Sequence, residues 1–275
     1  MLNILFIGDI VGNIGRECVK KIIPKIKRKY HPDLIIANAE NLAHGKGVTE
    51  NTIVEMLDAG VNFFTGGNHI FSRKNYEEIL NNDRFHIIRP ANYPKTAAGT
   101  GFKVIDVTEP ALGLGRASQK KILLINLMGR VFFRENLDCP FKTFDDIVKK
   151  HEHDADIIIV DFHAEATSEK KALYYYTDKR AQAVIGTHTH IQTNDEQISE
   201  NGTAYITDTG AVAAKDSVLG VEKNIVINNF LTQIPLLHEF PQTGECEFHA
   251  VIITFDTKKK IATQIKKIRE NINIQ

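Results

Sequence analysis

The stretch Leu2-Asn3-Ile4-Leu5-Phe6-Ile7-Gly8-Asp9-Ile10-Val11-Gly12 decides the fold. It opens with a nearly unbroken apolar run, the composition of a strand buried on both faces. Glycines then turn the chain. From about Gly15 to Tyr30, Val19, Ile22, Ile23 and Ile26 recur at helical spacing, with lysines and arginines between them. A buried strand, a glycine turn and an amphipathic helix make the first half of a βαβ unit. That unit predicts a parallel sheet with helices on its faces.

The pattern repeats downstream. Leu34–Ala37 reads as the second strand. Thr49 is an N-cap, with Thr52 in the first turn of a helix that turns Ile53, Met56 and Leu57 inward and stops near Gly60. Val61–Thr65 is the third strand, a helix follows from about Asn75 to Leu80, and Phe85–Arg89 reads as another short strand. Beyond the rigid loop Pro90–Pro94, Phe102–Asp106 alternates, while Lys121–Leu127, Ile157–Phe162 and Ala183–Ile185 are buried runs. Helices are expected from about Thr143 to His151 and from Ser168 to about Asp178, with a loop over Phe132–Cys139. Ala204–Thr207 returns the chain, and Val251–Phe255 with Ile261–Ile265 forms a C-terminal hairpin. No linker or internal repeat interrupts the series. The expectation is one domain over residues 1–275, a layered α/β/β/α sandwich of mixed sheets with helices on both outer faces.

Composition narrows the function. The chain has 275 residues, with 34 lysines plus arginines against 34 aspartates plus glutamates. That balance argues against bulk binding of DNA or a membrane surface, and leaves room for a small anionic substrate. No apolar run approaches a membrane span. The first strand begins at residue 2, which leaves no room for a signal peptide. Cys18, Cys139 and Cys246 are odd in number and far apart, which points to free thiols and a reducing, cytoplasmic setting. The spacing Gly8…Gly12…Gly15 lacks the dinucleotide fingerprint G-x-G-x-x-G.

Chemistry-bearing residues gather where strands end. Asp9 closes the first strand; alone it reads equally well as a capping aspartate or a ligand. Asn38-Ala39-Glu40-Asn41 closes the second and Gly66-Gly67-Asn68-His69 the third. Asp161-Phe162-His163 and Gly186-Thr187-His188-Thr189-His190 close two more. In an extended segment alternate residues point the same way, so His188 and His190 are expected to aim into one space. In open α/β sheets, sites form outside the carboxyl ends of the strands. Oxygen and imidazole donors without thiolate suit Mn, Fe, Zn or Mg. Asp9, Glu40, Asn41, Asn68, His163, His188 and His190 are too many ligands for one ion and about right for two. A pair of ions can clamp a phosphoryl group, and Glu40 is placed to bridge them. Thr187, Thr189 and Asp208 are candidates to orient the imidazoles. His151 and His153 read as a solvated turn. His31, His44, His86, His238 and His249 read as structural or surface residues. Arg116, in the insertion Glu109–Gln119, reads as a solvated charge rather than a substrate clamp.

The ordered set of Gly8-Asp9, Asn38-Ala39-Glu40-Asn41, Gly66-Gly67-Asn68-His69, Phe162-His163-Ala164-Glu165 and Gly186-Thr187-His188-Thr189-His190 resembles the calcineurin-like metallophosphoesterases. Within them it is similar to the YmdB family of bacterial cyclic-nucleotide phosphodiesterases. Pro90–Pro94, Asp161–Lys170 and Thr207-Asp208-Thr209-Gly210 carry the likeness over nearly the whole chain. Val11 stands where the wider superfamily has a histidine, and Asn38-Ala39-Glu40-Asn41 replaces its G-D-x-x-D; both departures are typical of the narrower family. Ile70 stands where an acidic residue commonly follows the histidine of G-N-H. The resemblance implies one ion on Asp9, Glu40, Asn41 and His190, and another on Glu40, Asn68, His163 and His188. It favours iron, then manganese. It further implies that a hydroxide bridging the ions attacks phosphorus while His69 protonates the leaving oxygen. The expected substrate is a small phosphodiester, a cyclic nucleotide such as a 2′,3′-cyclic form. The competing readings are a regulatory protein that binds a nucleotide or RNA end with little turnover, and a phosphomonoesterase or nuclease on the same ions. Assembly into a homo-oligomer is compatible with each of these readings.

Overall fold

The computed structural model describes residues 1–110 and 117–275, so Arg116 lies outside the described residues. Two six-stranded sheets face each other. The first has strands β1 (Leu2–Ile10), β2 (Leu34–Asn38), β3 (Phe63–Thr65), β10 (Ala211–Ala214), β11 (Gly244–Asp256) and β12 (Ile261–Ile274), in the order β12-β11-β10-β1-β2-β3. Parallel pairing joins β10, β1, β2 and β3, and the long β11–β12 hairpin is antiparallel. The second sheet has β4 (Phe102–Glu109), β5 (Ser118–Met128), β6 (Ile157–His163), β7 (Ala183–Thr187), β8 (Gln197–Ile198) and β9 (Ala204–Ile206), in the order β4-β5-β6-β7-β9-β8. Its centre, β5 to β9, is parallel, and its edges are antiparallel.

The β1 sequence is apolar on both faces because both are covered. Leu2, Ile4 and Phe6 meet Ile122, Leu124, Ile157 and Ile159 of the opposite sheet. Leu5 and Ile7 face the other way, onto Val19, Ile22, Ile23 and Ile26 of helix α1 (Gly12–Tyr30) and Ile53 and Met56 of α2 (Glu50–Asp58). On the far side, Leu123, Ile125 and Val160 pack against α4 (Pro140–His151) and α5 (Thr167–Thr177). The layers therefore run α/β/β/α, as the pattern predicts. Thr49 caps α2 with a reciprocal bond to Thr52, and a short helix α3 covers Tyr76–Leu80. Among the described residues, no helix is long and apolar enough to cross a membrane. Cys18 and Cys246 are buried, Cys139 is half-buried, and all three are free thiols.

Several expectations need correction. Phe85–Arg89 is not a strand: a short 3-10 turn over Asp83–Phe85 leads into a single bridge between Ile87 and Phe64. The left-handed His86 ends that turn. The final hairpin extends well beyond Val251–Phe255 and Ile261–Ile265, because exposed polar positions between buried ones pair just as well along the ladder. Helix α6 (Lys223–Thr232) was not expected. It buries none of its residues, so no apolar period marks it, and the Glu222 carboxylate caps its first turn.

Candidate metal centre

The carboxyl ends of β1, β2 and β3 from one sheet meet those of β6 and β7 from the other. Asp9 lies in the last turn of the β1 ladder, beside Asn38 and Ala211. Glu40 and Asn41 follow β2 and are almost fully buried. Asn38 shapes that turn, its Oδ1 accepting the Glu40 amide at 3.0 Å. Gly67, after β3, must be glycine for space. A Cβ there would overlap both Glu40 Oε2 and His163 Nε2.

His163 ends β6 with no exposure. Its Nε2 lies 3.2 Å from Glu40 Oε1 and 3.0 Å from His188 Nδ1. Glu40, His163 and His188 each offer a ligand atom within 4.8 Å of the others. A second group stands alongside: His190 Nε2 is 3.9 Å from Asp9 Oδ1 and 3.1 Å from Asn41 Nδ2. Asp9 Oδ2 also accepts the His188 amide at 3.2 Å, which ties the two groups together. Asn68 borders the same cavity as His188, and its buried Oδ1 has no hydrogen-bond partner.

Each imidazole is held by the nitrogen that faces away. His163 Nδ1 lies 3.0 Å from Thr187 Oγ1, which itself donates to Asp161 Oδ1 at 2.8 Å. The hydroxyl has thus spent its proton and accepts from the ring. His188 Nε2 meets Glu165 Oε2 at 3.0 Å, and His190 Nδ1 donates to the Leu219 carbonyl at 2.9 Å. These bonds leave His163 Nε2, His188 Nδ1 and His190 Nε2 with their lone pairs turned inward, the arrangement found around protein-bound cations.

Burial and crowding shift the titrations. Asp9 is pushed up to about 6 by burial, partly offset by His190 and His163. Burial acts against Glu40 too, but His163 and then His69 outweigh it and hold this carboxyl well below its usual range. Burial disfavours charge on His163, yet Glu40 and Asp9 raise it to about 9. His188 is lowered to about 3 by burial and by His163.

The donor set fits metal ions. It offers two carboxylates, two amides and three imidazoles without thiolate, and Asn68 Oδ1 is an acceptor with nothing to accept from. Asn41 turns Nδ2 toward Asp9 and His190 and Oδ1 toward His69 Nδ1, 3.0 Å away. Ligation by its oxygen requires the amide to turn over, exchanging atoms of equivalent reach. His69 is 31% exposed at the side chain, and its amide donates to Glu40 Oε2 at 2.9 Å. Burial lowers its pKa against an opposing pull from Glu40.

The structure changes two sequence readings. His188 and His190 do not converge by strand alternation, because β7 ends at Thr187 and both take positive φ, 106° and 64°. A left-handed turn aims them, which strand geometry alone does not foresee. Of the candidate orienting groups, only Thr187 touches an imidazole. Asp208 instead binds the Thr189 amide and Lys170. Glu165 and the Leu219 carbonyl fill the remaining places. Glu165 stood within the His163-Ala164-Glu165 strand end, while a carbonyl carries no signal in sequence.

The family description YmdB-like protein matches residues 5–268. A 2′,3′-cyclic-nucleotide 2′-phosphodiesterase of Bacillus subtilis is 40% identical over 270 residues, covering 98% of this chain and 97% of that protein. The crystal structure of a hypothetical protein from Thermus thermophilus superposes with a TM-score of 0.87 at 35% identity, covering 98% of this chain and 99% of that one. A phosphatase structure from Mycoplasma pneumoniae gives 0.88 at 32% identity, covering 99% and 94%. With its strand ends gathered over the same sandwich, this chain belongs to the YmdB-like family of calcineurin-like metallophosphoesterases.

Proposed function

We propose that this chain is a binuclear metal phosphodiesterase acting on small cyclic nucleotides, 2′,3′-cyclic forms among them. Asp9, Glu40, Asn41 and His190 would hold one cation and Glu40, Asn68, His163 and His188 the other, with Glu40 common to both. The observation that carries this is the inward convergence of Glu40 Oε1, His163 Nε2 and His188 Nδ1, with every outward imidazole nitrogen tethered. The family resemblance favours iron, then manganese; the donor chemistry itself is also compatible with zinc and magnesium. Two such ions, when bound, supply Lewis acidity that makes hydroxide available near neutral pH and offsets the charge growing on the phosphoryl oxygens.

The remaining chemistry belongs to the protein. His69 sits beside the ligands, with Nδ1 engaged by Asn41 and Glu40 and the rest of the ring partly exposed. That leaves Nε2 to give a proton to the leaving alkoxide. Nε2 carries that proton only in the imidazolium, which burial makes scarcer near neutral pH and more acidic, and a positioned acid contributes about 10²–10⁴-fold. The Bacillus subtilis relative, named for 2′,3′-cyclic nucleotides, supports the substrate class.

The test is His69→Ala in protein loaded with Mn or Fe. Turnover of 2′,3′-cyclic AMP should fall by about 10²–10⁴-fold while metal content is unchanged. The loss should be far smaller for bis-p-nitrophenyl phosphate, whose leaving group needs no proton. Equal, small losses on both substrates remove His69 from the acid role. Wild-type protein that binds the nucleotide and never cleaves it favours a regulatory binding protein instead.

A further inference from the structure

Between β5 and α4 the chain runs as an irregular loop along a cavity of about 600 Å³ beside the metal centre. Lys46, Asn68, Phe132, Arg134 and His188 line it. Phe132 is 82% exposed, a poor place for a phenyl ring, and its φ of 69° is a conformation that bulky side chains rarely adopt. The loop is nonetheless held firmly from beneath. Glu169, buried on α5, accepts the Arg130 amide at 3.0 Å and the Val131 amide at 3.2 Å. The Gly129 amide donates to the His163 carbonyl at 2.9 Å, which fastens the loop to a ligand strand. Phe133 folds inward onto His188, with ring centroids 4.9 Å apart. Its neighbour Phe132 is thereby turned outward at the cavity.

An exposed aromatic in a strained conformation, next to backbone that a buried carboxylate fixes, has no packing role. Such strain persists where the surroundings over-determine it, and it concentrates at ligand sites. The volume is within the range of small-molecule sites. Lys46 and Arg134 bring positive charge to the same space, alongside the carboxylates of Glu135 and Glu165.

We propose that Phe132 is the platform on which the base of a nucleotide stacks, while Lys46 draws the phosphate toward Asn68 and His188. The phosphate end of this inference rests on the phosphodiesterase reading above; the stacking end does not. Every base has a π face, so the platform favours nucleotides over base-free phosphates and discriminates weakly among bases. Holding the ring in place beforehand avoids ordering it on binding.

Calorimetric titration of the Mn-loaded protein with adenosine 3′-monophosphate and with ribose 5-phosphate tests it. Phe132→Ala should weaken adenosine 3′-monophosphate on the order of tenfold, the scale of one base–aromatic stack, and ribose 5-phosphate by less than about twofold. Phe132→Tyr should restore nucleotide binding. Because the ring lies in water, neither variant should change the unfolding transition. For 2′,3′-cyclic AMP the expected kinetic change is a raised KM with kcat preserved. Equal losses for both ligands, no loss for either, or wild-type protein that binds both alike overturns the platform. A Phe132-dependent nucleotide affinity in protein that cleaves no phosphodiester keeps the platform and removes only the catalytic reading.

Discussion

The Lys170 ammonium and the Asp208 carboxylate meet at 2.7 Å with side-chain exposures of 1% and 0%. Lys170 Nζ also donates to the Thr187 carbonyl at 2.8 Å, and Asp208 Oδ2 accepts the Thr189 amide at 2.9 Å. The pair therefore grips the backbone on each side of His188, where the chain leaves β7 with positive φ. Lys170→Met leaves Asp208 buried and unpaired and should cost about 3–5 kcal/mol. Urea unfolding measures this. A loss below about 1 kcal/mol, the level of a surface pair, would make the clasp dispensable. Lys170→Met with Asp208→Asn should recover part of the loss.

Gly67→Ala asks whether space at the centre is limiting. The added methyl would overlap Glu40 Oε2 and His163 Nε2, both buried. Overpacking of this kind costs about 1–3 kcal/mol when the surroundings shift to relieve it. The shift must displace Glu40 or His163, so metal content measured after dialysis should drop along with stability. Full metal occupancy in this variant would contradict the placement of Glu40.

Thr187→Val keeps the shape of the side chain and deletes the hydroxyl between His163 Nδ1 and Asp161 Oδ1. The ring loses its outward anchor. Metal affinity, measured by competition with a chelator, should weaken by about 10–100-fold. An unchanged affinity would mean that packing alone orients His163.

Asp195 gives a pH signature away from the metal centre. Burial raises its pKa, but the Thr207 and Thr193 hydroxyls and the Thr207 amide outweigh burial and hold it below the ordinary value. A depressed folded-state pKa means stability that is present above the unfolded value and lost as pH falls through the folded one. Asp195→Asn should therefore cost about 1 kcal/mol near neutral pH. The gap should narrow as pH drops below about 4, where the wild-type carboxyl also protonates. Thermal melts of both proteins across that range check it, and a gap that widens in acid would reverse the sign of the argument.

The linear sequence by itself determined the layered architecture and the residues carried at its strand ends. Those features are local: the apolar run of Leu2–Ile7, the helical period of Val19–Ile26 and the glycine break at Gly66 arise between near neighbours. Asp9, Glu40, Asn41, Asn68, His163, His188 and His190 could be named because parallel strands leave their carboxyl ends at one edge. Tertiary structure alone decided how those groups point. The positive-φ turn at His188 and His190 is gripped from both sides by the Lys170–Asp208 pair. Which nitrogen of each imidazole faces inward depends on Thr187, Glu165 and a carbonyl at Leu219. Those partners lie in other segments, and no pattern along one stretch of chain encodes a contact that exists only once the sheets have packed.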